Sequence, residues 1–139
     1  MSNSNEIPKV KVDPERNPTQ VTKTVRGELV GFPPDTAIFH SEGMMAIEDF
    51  KAGDTIRWTF PHPEFQYVLK GKAELTYMLP PWYDEEKTLT VETGDAYLIP
   101  NGADVVFKIA PGEPLRRLCM VMPPYNKYIE VPSKNVVQL

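Results

Sequence analysis

The sequence holds only two histidines, His40 and His62, and a single cysteine, Cys119. One cysteine excludes an internal disulfide and any zinc site built on several thiolates. Two histidines exclude a three-imidazole metal centre within one chain. There is no basic excess: the formal net charge is -4 and the pI about 5.2. A nucleic-acid partner is therefore not expected. The one basic pair, Arg116-Arg117, is expected to be solvated on a strand. No apolar run approaches the ~18 residues of a membrane span, so no membrane partner is expected. The polar N-terminal stretch "MSNSNEIPKVKVDPERNP" lacks the apolar core of a signal peptide, and a cytoplasmic location is expected. A sustained helical period is also missing.

Proline, by contrast, is abundant. Fifteen of the 139 residues are proline, roughly twice average usage. They fall in "FPPD", "FPHPE", "LPPWYD", "IPNG", "APGEP" and "MPPY". Proline lacks a backbone donor and is excluded from central strands. Apolar runs punctuated this way predict many short strands with firm turns. Strands are expected in 22–32, in two pieces around Ser-Glu-Gly within 37–50, and over 55–60. Further strands are expected at 64–71, 72–79, 88–93, in two pieces within 96–110, and at 115–123. The fold class is all-β, a sandwich or barrel. Residues 1–22 read as an extended arm, 23–125 as the barrel, and 126–139 as a tail with room for one short strand. Cys119, within the apolar "RLCMVM", is expected to be a buried small hydrophobe. His40 is expected at a turn.

Two motifs carry a family resemblance. The second half contains Gly94-Asp95, then Pro100, Gly102 and an apolar strand, in "GDAYLIPNGADVVF". The first half contains Gly53, Glu64 and "YVLKG" ending at Gly71. Together, over roughly residues 40 to 123, they resemble the cupin superfamily, whose fold is the RmlC-like jelly-roll barrel. In metal-binding cupins the first motif supplies two histidines and a glutamate, and the second supplies one histidine. Carried onto this sequence, those positions hold Trp58, Phe60, Glu64 and Val105. The resemblance thus implies a degenerate metal site with no resident metal, the weak alternative being a divalent ion on His62 and Glu64. "IRWTFPHPEFQYVLKG" is most similar to the metal-poor cupins of the ethanolamine-utilisation (EutQ-like) type. The long "LPPWYDEEKT" loop and the N-terminal arm depart from that pattern. Cupins of this size imply a homodimer.

On the strand pleat, residues 58, 60, 64, 66 and 68 share one face. If that face is interior, Trp58, Phe60, Gln66, Val105 and Phe107 would line a mostly apolar small-molecule site. Glu64 on that face is the candidate acid or base, with His62 beside it. Desolvation would raise its pKa unless Arg57 or another cation pairs with it. The competing reading makes Glu64 a former ligand held by a hydrogen bond to Gln66 or a tyrosine, with Trp58 and Phe60 as core. Tyr77, Trp82 and Tyr83 are expected in a lid or a dimer contact. Three functions remain open. One is metal-independent isomerase, cyclase or lyase chemistry on a small apolar or aromatic acid. The others are a non-catalytic binding or sensor module and an assembly subunit.

Overall fold

The structure, a computed structural model, describes residues 6–11, 22–23, 29–30, 37–122 and 136–138. The rest of the expected N-terminal arm and most of the C-terminal tail lie outside the described residues.

Twelve strands are present among the described residues: β1 (Thr22–Lys23), β2 (Leu29–Val30), β3 (Ala37–His40), β4 (Gly43–Phe50), β5 (Thr55–Thr59) and β6 (Glu64–Lys70), then β7 (Lys72–Met78), β8 (Lys87–Glu92), β9 (Ala96–Ile99), β10 (Asp104–Ile109), β11 (Leu115–Val121) and β12 (Val136–Gln138). None of the described prolines lies inside a strand, as a missing backbone donor requires. The expected strand over 22–32 is instead the small pair β1–β2, in the register Thr22↔Val30.

Ten strands form two five-stranded sheets, ordered β12-β5-β10-β7-β8 and β3-β4-β11-β6-β9, with every pairing antiparallel. The alternation of burial shows which faces meet. In β10, Val105, Phe107 and Ile109 are buried; in β5, Ile56 and Trp58; in β6, Glu64, Gln66 and Val68. These faces enclose one apolar core that runs from Phe50 to Leu115 and draws on both sheets. The tail strand β12 extends the first sheet by pairing with β5, so this part of the tail belongs to the barrel.

Two glycines set close approaches. Gly71 joins β6 to β7 at φ +97°, and a Cβ there would lie 2.6 Å from the Pro114 carbonyl oxygen and 2.9 Å from the Leu115 Cα. Both obstacles are backbone, so only glycine fits. Gly102, at φ +88°, turns the chain from β9 toward β10, with Pro80 packed 3.0 Å from the position of a Cβ. The Phe60 carbonyl accepts from Gly102 N–H at 2.7 Å, and Phe60 N–H donates to the Ala103 carbonyl at 2.9 Å. These bonds bring the "FPHPE" segment alongside the "IPNGA" turn.

Candidate functional site

The inward face of the second sheet carries an unusual set of polar residues. Glu48 on β4, Glu64 and Gln66 on β6, and Arg117 on β11 are all almost fully buried. The sequence places them there by period-two alternation. Leu115, Arg117, Cys119 and Val121 share one face of β11, and Glu64, Gln66 and Val68 share one face of β6. Pairing then sets Arg117 opposite Glu48, Cys119 opposite Gln66, and Gln66 opposite Tyr97 of β9.

Arg117 is the centre of this set. Its Nε donates to Glu48 Oε1 at 3.0 Å, and its Nη1 donates to Gln66 Oε1 at 3.1 Å. The Gln66 amide in turn donates from Nε2 to Glu64 Oε2 at 2.5 Å. The guanidinium lies between two aromatic rings, 4.7 Å from the centroids of both Phe50 and Phe107. Cation–π attraction is strongest in such a dry setting. Burial works against the Arg117 charge, but Glu48, Tyr97, Glu64 and Cys119 outweigh it and hold its pKa above the usual arginine value. The expectation that Arg116-Arg117 is a solvated pair is therefore corrected. Arg116 is buried too, bound through Nε and Nη2 to the two Asp49 carboxylate oxygens at 2.8 and 3.3 Å. Each arginine faces an acidic residue directly across the β4–β11 ladder, which is what makes burial tolerable.

Arg57 does not partner Glu64. It lies on the outer face of β5, where it makes a two-pronged pair with Asp104 at 2.9 and 2.5 Å and remains 49% exposed at its side chain. The hydrogen bonds and charge of Asp104 raise its pKa. The cation facing Glu64 is Arg117.

His62 is buried in the Pro61–Pro63 segment. Its Nδ1 donates to the Pro63 carbonyl at 3.1 Å in the neutral tautomer that this contact selects. Nε2 then faces Glu64 Oε1 at 3.9 Å, too long for a hydrogen bond. Burial lowers the His62 pKa, with the Pro63 carbonyl pulling the other way.

Trp58 and Phe60 stack with ring centroids 5.1 Å apart and planes 20° from parallel, and Phe60 meets Phe107 edge-on at 6.1 Å. All three belong to the core. Of the residues expected to line a ligand site, Val105 alone borders the main apolar cleft, at the seam where edge strands β8 and β9 of the two sheets come together. This cleft has a volume of about 140 Å³ and is lined by Leu75, Tyr77, Leu79, Tyr97, Ile99 and Val105, among others. Trp58, Phe60, Gln66, Phe107, Glu64 and His62 do not line it. A larger groove of about 220 Å³ crosses the outer face of β5, β10 and β7, but its Arg57 and Asp104 already satisfy one another.

Tyr97 connects cleft and charged cluster. Its side chain lines the cleft, while its buried hydroxyl feels Arg117, Glu64 and Glu48. Burial raises the pKa of that hydroxyl and Arg117 opposes the rise, so it remains a proton donor at neutral pH. The inward turn of Tyr97 in "AYLI" was available from alternation with Ile99, yet sequence reasoning passed over it. The expected lid residues separate. Tyr77 borders the cleft, Trp82 is exposed, and the Tyr83 hydroxyl donates to the Gly102 carbonyl at 2.6 Å, tying the 80–86 loop to the β9–β10 turn. His40 ends β3 at a turn, where Nδ1 accepts from Glu42 N–H at 3.1 Å.

No protein-family model and no curated protein matches the sequence. Solved structures do. An oxalate decarboxylase of Lactobacillus farciminis superposes with a TM-score of 0.54 at 20% identity, covering 71% of this chain and 27% of that one. The EutQ protein of Clostridium difficile gives 0.50 at 18% identity, covering 68% of each chain. Vicilin from hazelnut, Corylus avellana, gives 0.53 at 21%, covering 70% and 26%. The fold is that of the cupins. The chain spans only about a quarter of the decarboxylase and vicilin chains, and at these identities the likeness extends to the fold alone.

Within this cupin barrel, the side chains that come nearest to a metal-ligand set are Glu48, Glu64 and Cys119, whose ligating atoms lie within 4.8 Å of one another. They do not fit a divalent ion in the present arrangement. Arg117 already engages Glu48 directly and is drawn by Glu64 and Cys119. A doubly charged ion would sit beside a buried guanidinium, with repulsion that the low-dielectric interior magnifies.

Two expectations follow from this geometry. Arg117→Leu leaves buried carboxyl groups without their cation and should lower unfolding stability by about 3–5 kcal/mol. Arg57→Ala removes a half-exposed pair and should cost less than about 1 kcal/mol. Urea unfolding at neutral pH measures both. His62 is held neutral by burial, so its folded pKa lies below its ordinary 6.5. Below pH 6.5 the unfolded chain takes up the proton first, and the stability present above that pH is lost as pH falls toward the depressed folded value. His62→Gln should flatten this part of the profile. Equal urea-midpoint slopes for the two proteins between pH 7.5 and 5.5 would contradict the assignment.

Proposed function

We propose that the protein is a small-molecule-binding cupin whose interior uses a fixed arginine cation where metal-binding relatives use an ion. The ligand site is the β8–β9 seam cleft. The observation that supports this reading is Tyr97, which lines the apolar cleft and carries its hydroxyl into the buried Arg117 cluster. A cleft that is apolar over most of its wall and carries few polar groups orients a ligand as well as holding it. Its volume of about 140 Å³ is close to that of an engineered apolar cavity of roughly 150 Å³ that holds benzene.

Binding is favoured over catalysis by the placement of Glu64 and His62. Both are sealed behind the aromatic core and neither borders the cleft. For acid–base chemistry, a substrate atom would have to come within hydrogen-bond reach of Glu64. Gln66 occupies one oxygen of that carboxyl group.

Ala103 is buried at the cleft wall, so Ala103→Leu fills the space directly. Toluene should raise the melting temperature of the wild-type protein in a concentration-dependent way. Ala103→Leu should remain folded, at a cost of about 1–3 kcal/mol from overpacking, and lose the toluene response. A response that persists unchanged in the variant would place the site elsewhere.

The outer face of β9, β6 and β11 supports a homodimer as a second element of the proposal. Met120, Phe65 and Leu98 are cross-strand neighbours there, with Tyr67 beside them, and all four are exposed. A contiguous apolar stripe on an open sheet face is the kind of surface a second copy covers. Sedimentation equilibrium should show a dimer, and the pair Phe65→Glu and Met120→Glu should convert it to monomer. A wild-type monomer at tens of micromolar would end this part of the proposal.

A further inference from the structure

Among the described residues, the buried Tyr97 hydroxyl, on a side chain that lines the cleft, and the buried Arg117 Nη2 behind it have no partner at hydrogen-bond geometry, although the two groups are close enough for the guanidinium to stabilise the phenol oxygen. Arg117 has spent Nε on Glu48 and Nη1 on Gln66, which leaves the Nη2 protons over. A buried donor that goes unmet costs about as much as a lost hydrogen bond, and such groups call for an acceptor. The phenol oxygen faces the guanidinium and can accept from it, so the donor left over is the Tyr97 hydroxyl proton. Tyr97 is also the one polar side chain, besides Tyr77, on an otherwise aliphatic wall. An acceptor that satisfies Tyr97 would arrive through the cleft.

The charge behind Tyr97 decides what kind of acceptor. Glu48 and Glu64 already share the single guanidinium, and Cys119 adds a third electron-rich side chain within 4.8 Å. A ligand carboxylate would add another negative charge to a site with no second cation among the described residues. In a low-dielectric interior that penalty is large. A neutral carbonyl or ether oxygen takes the hydrogen bond without adding charge.

We propose, resting on the seam cleft as the binding site, that its ligand is a neutral molecule about the size of one six-membered ring, with an oxygen acceptor at one end that the Tyr97 hydroxyl recognises. The remainder of the molecule is hydrocarbon and contacts Leu75, Leu79, Ile99 and Val105. This selects small cyclic ketones, lactones and similar compounds over the corresponding acids.

Calorimetric titration with three probes of similar size tests this: toluene, cyclohexanone and cyclohexanecarboxylate. Cyclohexanone should bind roughly three- to tenfold more tightly than toluene, the worth of one net hydrogen bond. The carboxylate should bind more weakly than both. Tyr97→Phe keeps the ring that lines the cleft and removes the hydroxyl, so it should erase the advantage of cyclohexanone and leave toluene binding in place. If toluene and cyclohexanone bind alike to the wild-type protein, the acceptor assignment fails while the cleft stands. Tightest binding by the carboxylate overturns the neutral-ligand assignment. If none of the three binds, the cleft reading itself is lost.

Discussion

A guanidinium with no access to water sits at the middle of this barrel, and the arrangement of the second sheet depends on it. Arg117 occupies β11, the central strand of β3-β4-β11-β6-β9. It is bonded to a neighbour on either side, Glu48 on β4 and Gln66 on β6. Phe50 and Phe107 cover its two faces, and Phe107 comes from the opposite sheet. One side chain therefore links its own strand to both neighbouring strands, β4 and β6, and to the facing sheet across the core. Such a group is stabilising only when nearly all its partners are in place, because a half-satisfied buried charge is worse than an apolar one. A slip of one residue in β11 would turn Arg117 outward and strand Glu48 and Gln66 inside, so the charge network also specifies register.

The same cation bears on metal chemistry. A metal ion is a point charge that gathers ligands around itself and can exchange them. A guanidinium is a planar fork attached to the chain, with donors fixed in direction. Glu48 and Glu64 meet such a fork here, directly in one case and through the Gln66 amide in the other. The interior thereby keeps the electrostatic balance of a carboxylate-lined site but offers no open coordination position. What it can offer a small molecule is hydrogen-bond donation at its margin, where Tyr97 stands.

Much of the fold was legible because its signals are local. Pro100, Gly102 and the Gly94-Asp95 turn delimit β9 and β10 within a residue or two, and strict alternation puts Trp58, Glu64, Gln66, Val105 and Phe107 inside. The centre of the site was not legible for the opposite reason. Arg117 and Glu48 are 69 residues apart, and nothing in "LRRLCMV" announces which acid will lie across the ladder. Two adjacent arginines on a strand point to opposite faces, so at least one had to face inward if both faces were covered. The reading of them as solvated rested on taking a short basic pair as an exposed charged face. Tyr97 was missed similarly: its importance comes from Arg117, and it cannot be recognised before Arg117 is placed.

The position of the cleft follows from the topology. Strands β8 and β9 are the last strands of their respective sheets, and they face each other across the seam without sharing a ladder. Elsewhere the sheets meet through the shared core, in which Trp58, Phe60 and Phe107 pack in one cluster with Phe50, Val68 and Leu115 of the other sheet. At the seam the cleft is lined by Leu75, Leu79, Leu89 and Ile99, aliphatic groups that leave space between them. Widening this seam breaks no strand ladder; beside the Tyr83–Gly102 bond at its border it disturbs van der Waals contact, which favours it as a place for the barrel to admit a guest. A guest there touches both edge strands, so its binding energy helps hold the two sheets together. Through Tyr97 it also meets the group on which the core is built.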